Sequence, residues 1–182
     1  MKNIIATICI AAAAVAGAEM KVAVVSLEVL IKNHPNHETN RTLVKSTADD
    51  YRKKMETYQE QAKALMDEGK KLQSDWQNPM LSASSKADLQ KKLEGIQRKL
   101  FAAQQDMRAQ DQRYQDELAD LQQRLFKIEK KDVEDKIAEF AKAGGYDMIV
   151  DVAACGFVKP EHDVTDAVLA KMGVDSSKKK TE

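Results

Sequence analysis

At 182 residues the chain has room for one domain or two small ones. Charged residues make up 32% of it and aromatics only 5%, a balance that favours exposed helix surface and argues against a thick globular core. Lys+Arg and Asp+Glu stand level at 29 each and mean hydropathy is -0.53, so nothing beyond the N-terminus has the apolar length to span a membrane.

Residues 1–18 read as a cleaved secretory signal. Lys2 supplies the positive start, Ile4 to Val15 the apolar run, and Ala16-Gly17-Ala18 a small-residue cleavage site. The competing reading is a membrane anchor, for which the run is too short. Cleavage before Glu19 removes Lys2 and Cys9. It leaves 28 basic and 29 acidic residues, one net negative charge, and Cys155 as the remaining cysteine. A lone cysteine rules out an intramolecular disulfide. Its apolar neighbours favour a buried role over an intermolecular partner.

Lys21 to Ser26 carries the β-branched pair Val24-Val25 and reads as a short buried strand. Ser26 is placed to cap a short helix with Leu27, Leu30 and Ile31 on one face. His34-Pro35 interrupts it, because the residue before proline is pushed out of the helical region.

Residues 36–143 form the organising stretch. Apolar or small residues fall at Val44, Ala48, Tyr51, Met55, Tyr58, Ala62, Leu65, Gly69, Leu72 and Trp76, in alternating steps of four and three. That is the 3.5-residue period of a coiled-coil seam. A second arm repeats it from Leu89 through Leu93, Ile96, Leu100, Ala103 and Met107. It passes a polar Gln110, takes an extra step of four from Tyr114 to Leu118, and continues through Leu121, Leu125 and Ile128. Such a stutter locally unwinds a supercoil. Residues 78–82 hold Asn78-Pro79 and break the arms, and Ser82, or Ser85 with Asp88, starts the second. A short link predicts an antiparallel hairpin. The second arm is the longer, so its last turns at Val133, Ile137 and Phe140 must pack on other material, the nearest being Val22–Ile31. Gly69 and Gly95, with 69 set against about 91 by the position of the turn, mark either a soft point or a close helix approach.

Gly144-Gly145 ends the second arm. Tyr146 to Val152 reads as a second buried strand and Cys155–Val158 as a third, with Ala153-Ala154 in the turn. Asp163 or Thr165 caps a last amphipathic helix carrying Val168, Leu169 and Met172. Residues 175–182 are a solvated basic tail. The fold class expected is mainly α with a small β part. Residues 19–35 and 144–174 make a small α/β body, from which 36–143 projects as a long antiparallel coiled-coil hairpin. The body core is expected at Val22, Val24, Leu27, Leu30, Ile149, Val150, Phe157, Val168 and Leu169. Two or three short strands do not support an isolated sheet, so the body is expected to be shared between copies.

No catalytic constellation, cofactor motif or metal site stands out. His34 and His37 flank a proline and lack a third ligand, and no histidine is near Cys155 in sequence. Asp147, Asp151, Asp163 and Asp166 fit capping and strand ends better than a calcium loop. At the hairpin tip Trp76, Met80 and Leu81 either close the seam or meet a partner, and Met66 is an adaptable contact of the same kind. From Lys63 to Lys99 eight basic residues outnumber five acidic ones, which reads as a weak steering patch or an ordinary solvated face.

In order, these pieces resemble the Skp/OmpH family of periplasmic chaperones. The residues that carry the resemblance are Val22-Ala23-Val24-Val25 with Leu27, Val29 and Leu30, the charged hairpin, Tyr146-Asp147-Met148-Ile149-Val150-Asp151, and Asp163-Val164-Thr165-Asp166-Ala167-Val168-Leu169, similar to the family's Asp-Ile-Thr-Asp-x-Val-Leu. The resemblance implies a jellyfish-shaped homotrimer whose tentacles enclose a cavity. It implies a non-enzymatic holdase that binds unfolded outer-membrane proteins in the periplasm without ATP. The chain has no G-x-x-x-x-G-K-[ST] loop. Weak contact with an anionic membrane surface is a further expectation, and no nucleic-acid partner is expected. The near-neutral charge departs from the strongly basic character common in the family. A periplasmic coiled-coil spacer or adaptor is the alternative function.

Overall fold

The computed structural model describes residues 20–174, so the expected signal segment and basic tail lie outside the described residues. The element order is β1 (Val22–Val25), α1 (Leu27–Lys32), α2 (His37–Trp76), α3 (Ala83–Gly144), β2 (Met148–Asp151) and α4 (Thr165–Lys171). Helices α2 and α3 form the antiparallel hairpin, about 60 and 93 Å long at 1.5 Å per residue.

The seam runs where the 3.5-residue period places it. Val44 to Leu72 on α2 and Leu89 to Leu125 on α3 are each partly buried at the expected positions, and Ile96 is buried. Trp76, last on α2, is 41% exposed. Past Leu125 the period changes. Ile128 is 63% exposed and Glu129 only 4%. The inward positions become Leu125, Glu129, Val133 and Ile137, in steps of four, as α3 drifts out of phase with α2 and turns its inner face toward the body.

Tyr51 stacks on Tyr114, and Gly69 faces Ile96. Position 69 therefore lies against 96 and not near 91. The first turn of α3 rises above the end of α2, and the link at 77–82 spans that step. Ser82 caps α3, accepting from the Ser85 amide at 3.1 Å. A Cβ at Gly69 would stand 3.3 Å from Ile96 Cγ2, whereas one at Gly95 would meet nothing within 4 Å. Close helix approach thus accounts for Gly69.

In the body, β1 and β2 pair in parallel, Val22 with Met148 through Val25 with Asp151. The other edge of β1 is held by Asp163-Val164: the Val164 amide donates to the Val24 carbonyl at 2.9 Å. Asp163 Oδ1 accepts from the Thr165 amide at 2.8 Å, and Thr165 Oγ1 accepts from the Ser26 amide at 2.9 Å. The Asp-Val-Thr-Asp stretch is therefore a stitch between α4 and β1. Thr165 is the first helical residue and Val164 holds the cap position without a side-chain bond, so neither Asp163 nor Thr165 is the expected cap, and Asp163 takes the Thr165 amide from one residue earlier. Ser26 caps α1 through the Val29 amide. Gly145, at φ +63°, closes α3 in the left-handed conformation that favours glycine. The core is Val25, Leu30, Val133, Val168 and Leu169, with Leu27, Ile137, Phe140 and Ile149 packed around it.

Three expectations for the body are corrected. The second strand is shorter than Tyr146–Val152, and Met148 is 49% exposed, so it is not a buried strand. Val152–Ala154 is a 3₁₀ turn, and Cys155–Val158 forms no strand. A strand needs a ladder partner, and residues 155–158 pair with neither β1 nor β2. Phe157 is 84% exposed and Val22 38%, so neither is core in one chain.

Between the shaft seam, which starts at Val44, and the body core lies a polar layer. Glu129 accepts from Asn40 Nδ2 at 2.7 Å and pairs with His37 Nδ1 at 3.1 Å. His34, 5% exposed, places Nε2 2.9 Å from Asp132 and accepts the Asn36 amide on Nδ1 at 3.2 Å. A backbone donor at Nδ1 means that Nε2 carries the ring proton and donates to Asp132. Asn36 makes no side-chain cap for α2. The Glu129 carboxylate, gripping side chains one turn apart, anchors that helix start instead.

Two outcomes follow for stability. Gly95→Ala adds helix propensity in open space and raises unfolding free energy by about 1 kcal/mol, while Gly69→Ala gains less because its Cβ presses on Ile96. Glu129→Ala costs about 2 kcal/mol, and adding Asn40→Ala to it costs little more, because Asn40 acts through its hydrogen bond to Glu129. Urea melts of the four variants read both.

Candidate functional site

The structure divides the expected site residues into three groups. Leu30, Val168 and Leu169 are fully buried in the chain's own core, with Leu27 and Ile149 against them. Leu30, Val168 and Leu169 shape the body and are closed to a partner, whereas Leu27 and Ile149 are half-buried. Val22, Val150 and Phe157 instead line an open apolar groove of about 390 Å³, together with Cys155 and Val158, and Val24, buried at 5% exposure as expected, forms part of its wall. The groove lies on the face of the two-stranded sheet. Cys155 Sγ is 3.6 Å from the Asp151 carbonyl, and the residue is half-buried.

The third group is at the hairpin tip. Asn78 Oδ1 accepts from the Met80 amide at 3.0 Å, which turns the chain and leaves Met80 89% exposed. Leu81 is half-buried, and Lys86 Nζ lies 5.9 Å from the Trp76 ring centroid. Met66 is 46% exposed on the shaft below. The tip thus presents apolar side chains among lysines. Sequence reading did not single out Phe101, 63% exposed, or Phe126, 51% exposed. Each follows a seam leucine by one residue, so each stands beside the seam and not in it. That phase was the available signal.

Midway along the shaft, at the stutter, Tyr51 and Tyr114 stack with centroids 4.3 Å apart. The Tyr51 hydroxyl donates to Glu117 Oε2 at 2.8 Å, and Arg113 Nε donates to Glu117 Oε1 at 2.7 Å. Lys54 Nζ lies over both rings, 5.5 and 5.7 Å from their centroids. The bonds from Tyr51 and then Arg113 hold the Glu117 carboxyl below its ordinary value. The same bond to Glu117 raises the Tyr51 hydroxyl.

His34 and His37 are each committed to a separate carboxylate. Among the described residues no group of three or more His, Cys, Asp or Glu is placed to hold a metal ion. Asp147 accepts the Lys21 amide at 2.7 Å, and Asp151 the Ala153 amide at 3.2 Å, so with Asp163 these aspartates serve the backbone. Among the described residues no helix is long and apolar enough to cross a membrane.

A pH profile tests the mid-shaft link. A carboxylate held low when folded stabilises above the ordinary value of 4.5 and loses that contribution as pH falls through the folded value. A raised tyrosine contributes below 10.0 and loses it as pH climbs through the folded value. The link is therefore whole between those limits. In Glu117→Gln the acid-side fall in Tm becomes shallower than in the parent, by a small amount because the group is solvent-screened.

Two comparisons with known proteins bear on the fold just described. A solved structure of a candidate outer membrane chaperone (OmpH-like) from Caulobacter crescentus superposes with a TM-score of 0.58 at 17% identity, over 91% of this chain and 89% of that one. No curated protein matches the chain. The family model for outer membrane protein (OmpH-like) matches residues 21–172, from the start of β1 to the end of α4. The chain belongs to the OmpH-like family.

Proposed function

We propose that the chain is an ATP-independent holdase chaperone that binds unfolded outer-membrane β-barrel proteins in the periplasm and keeps them from aggregating. Family membership and the fold shared with the OmpH-like structure support a chaperone role. The observation that carries the reading is the form of the hairpin. It is a slender two-helix arm that leaves Met66, Trp76, Met80 and Phe101 open near its end, on a body whose sheet face is an unfilled apolar groove.

The physics of each part fits that role. One two-helix seam buries a single stripe, and a two-stranded sheet does not stand alone. Copies joined through Val22, Val150 and Phe157 would cover the groove and complete the sheet, and a homotrimer is the assembly proposed. Arms radiating from that hub bound a space. An unfolded chain held there by many weak contacts stays mobile and is kept from pairing its strand edges with another chain. Chemistry on the client is not part of the role, nor is nucleotide. The lysines around the tip would favour weak contact with an anionic membrane surface. The domain division at 36–143 and the signal at 1–18 belong to the same proposal.

The test uses the purified chain without its first eighteen residues and without nucleotide. An unfolded β-barrel protein is diluted from urea at one client per three or more chains. Light scattering is expected to stay near baseline, and the mass in solution to equal three copies. Unchanged aggregation overturns the holding role. A stable lone monomer overturns the shared hub. Hairpins zipped along their whole length, with no internal space by small-angle scattering, point to a coiled-coil adaptor instead.

A further inference from the structure

The two flanks of the hairpin seam differ in chemistry. In an antiparallel helix pair, residues that follow one seam position on each helix share one flank, and residues that precede the other share the opposite flank. The structure shows this division at mid-shaft. Arg52 and Asp111, which follow Tyr51 and Gln110, line one groove with Tyr51 and Tyr114. Lys54, which precedes Met55, lies over the two rings and acts on the Glu117 carboxyl, which precedes Leu118.

Extended toward the tip, the first flank carries Gln59, Met66 and Gln73 on α2, and Gln90, Gln97 and Gln104 on α3. All six are exposed and none is charged. Phe101, 63% exposed, borders this flank at the height of Met66; Lys63, Lys70 and Glu94 hold equivalent border positions, and Glu94 accepts from Gln90 Nε2 at 3.4 Å. The opposite flank carries Lys54, Glu68 and Asp75 on α2, and Lys92, Lys99 and Asp106 on α3, with Gln61 as its uncharged member. In a chain where 32% of residues are charged, six consecutive uncharged flank positions leave an amide-rich strip about 21 Å long.

We propose that this glutamine strip is the client-facing side of the hairpin and that it binds an extended segment of unfolded polypeptide. The inference rests on the holding role argued above and names the surface that performs it. An unfolded chain presents unpaired backbone N–H and C=O groups and side chains on both sides. A glutamine amide offers two donors and an acceptor and so matches a peptide group of any sequence. Met66 and Phe101 add adaptable apolar contact. A flank of fixed charges would select clients by charge, whereas a neutral one does not. The strip has the length of about six extended residues. A second hairpin of this chain is a poorer occupant, because helix pairing needs an apolar seam and the strip supplies only two large apolar groups.

The test places a photo-crosslinking phenylalanine analogue, one position at a time, at 66 and 97 on the strip and at 61 and 99 on the opposite flank of the full chain. An unfolded β-barrel protein diluted from urea is the probe. Positions 66 and 97 are expected to crosslink it about fivefold or more over 61 and 99. In parallel, Met66→Glu with Gln97→Glu is expected to weaken client binding about tenfold, because an unpaired charge is pressed against the client, while Gln61→Glu changes it less than twofold. Helical content and Tm of these exposed variants verify folding. Equal yields from both flanks, or strip crosslinks only to other copies of the chain, overturn the proposal while the holding role stands. Undelayed aggregation with no crosslink at any position overturns both.

Discussion

Helix α3 is the member on which both halves of the molecule are built. It runs unbroken for 62 residues, so the side chains that close the shaft and those that fill the body lie on one rigid rod. Ile96 is buried in the shaft and Val133 in the body. Helix α2 by contrast starts afresh at His37, after the interruption at Pro35, and must be tied to α3. Over its first two turns no seam hydrophobe does this; the tie is the carboxylate of Glu129. A buried carboxylate at a seam position is costly unless each oxygen is engaged, and here each oxygen is. The same feature that weakens the root as apolar packing makes its geometry specific, because only one register brings His37 and Asn40 to Glu129.

Three cross-links then repeat one register at three heights. Glu129 meets His37 at the root, Tyr114 meets Tyr51 at mid-shaft, and Ile96 fills the space left by Gly69 nearer the tip. A heptad seam alone tolerates a slip of seven residues with little loss of apolar contact. Unlike pairs at fixed heights do not, and they use different chemistry at each level: charge with hydrogen bonds, aromatic stacking, and size complementarity. The hairpin is slender, yet its register is defined along its length.

Much of this was legible in the sequence. The 3.5-residue period located nearly every seam residue, and the cap at Ser26, the break at 78–82 and the glycine end of α3 lie where local chemistry puts them. The errors share a cause. Ile128 is apolar and in step with the 3.5-residue period, but inward position depends on helix phase against two neighbours, and past Leu125 the neighbour changes from α2 to the body. Glu129 carries no local signal of its role, because His37 and Asn40, about ninety residues away in sequence, converge on it only in the fold. Cys155–Val158 has the composition of a strand but no ladder partner within one chain. Of the nine residues assigned to the body, those in the single-chain core and those on the open groove were indistinguishable by hydrophobicity. Only the packing separates Leu169 from Phe157.

That separation explains how one short chain serves two kinds of surface. One face of the sheet, through Val25 and Ile149, closes the core with α1, α3 and α4, so the other face is left with unused apolar area. Along the shaft the holding role proposed above poses the reverse problem: a flank open to unfolded chains must not also recruit its own kind. An apolar flank would widen the seam and invite bundling into larger coils. A charged flank would stay soluble but select by charge. Glutamine sits between these limits, since it keeps the hairpin hydrated when empty and offers peptide-like hydrogen bonds when occupied. The near-neutral balance of the chain is consistent with this. Where attraction does not come from net charge, it has to come from groups that any polypeptide can satisfy, and these are the groups set beside the seam.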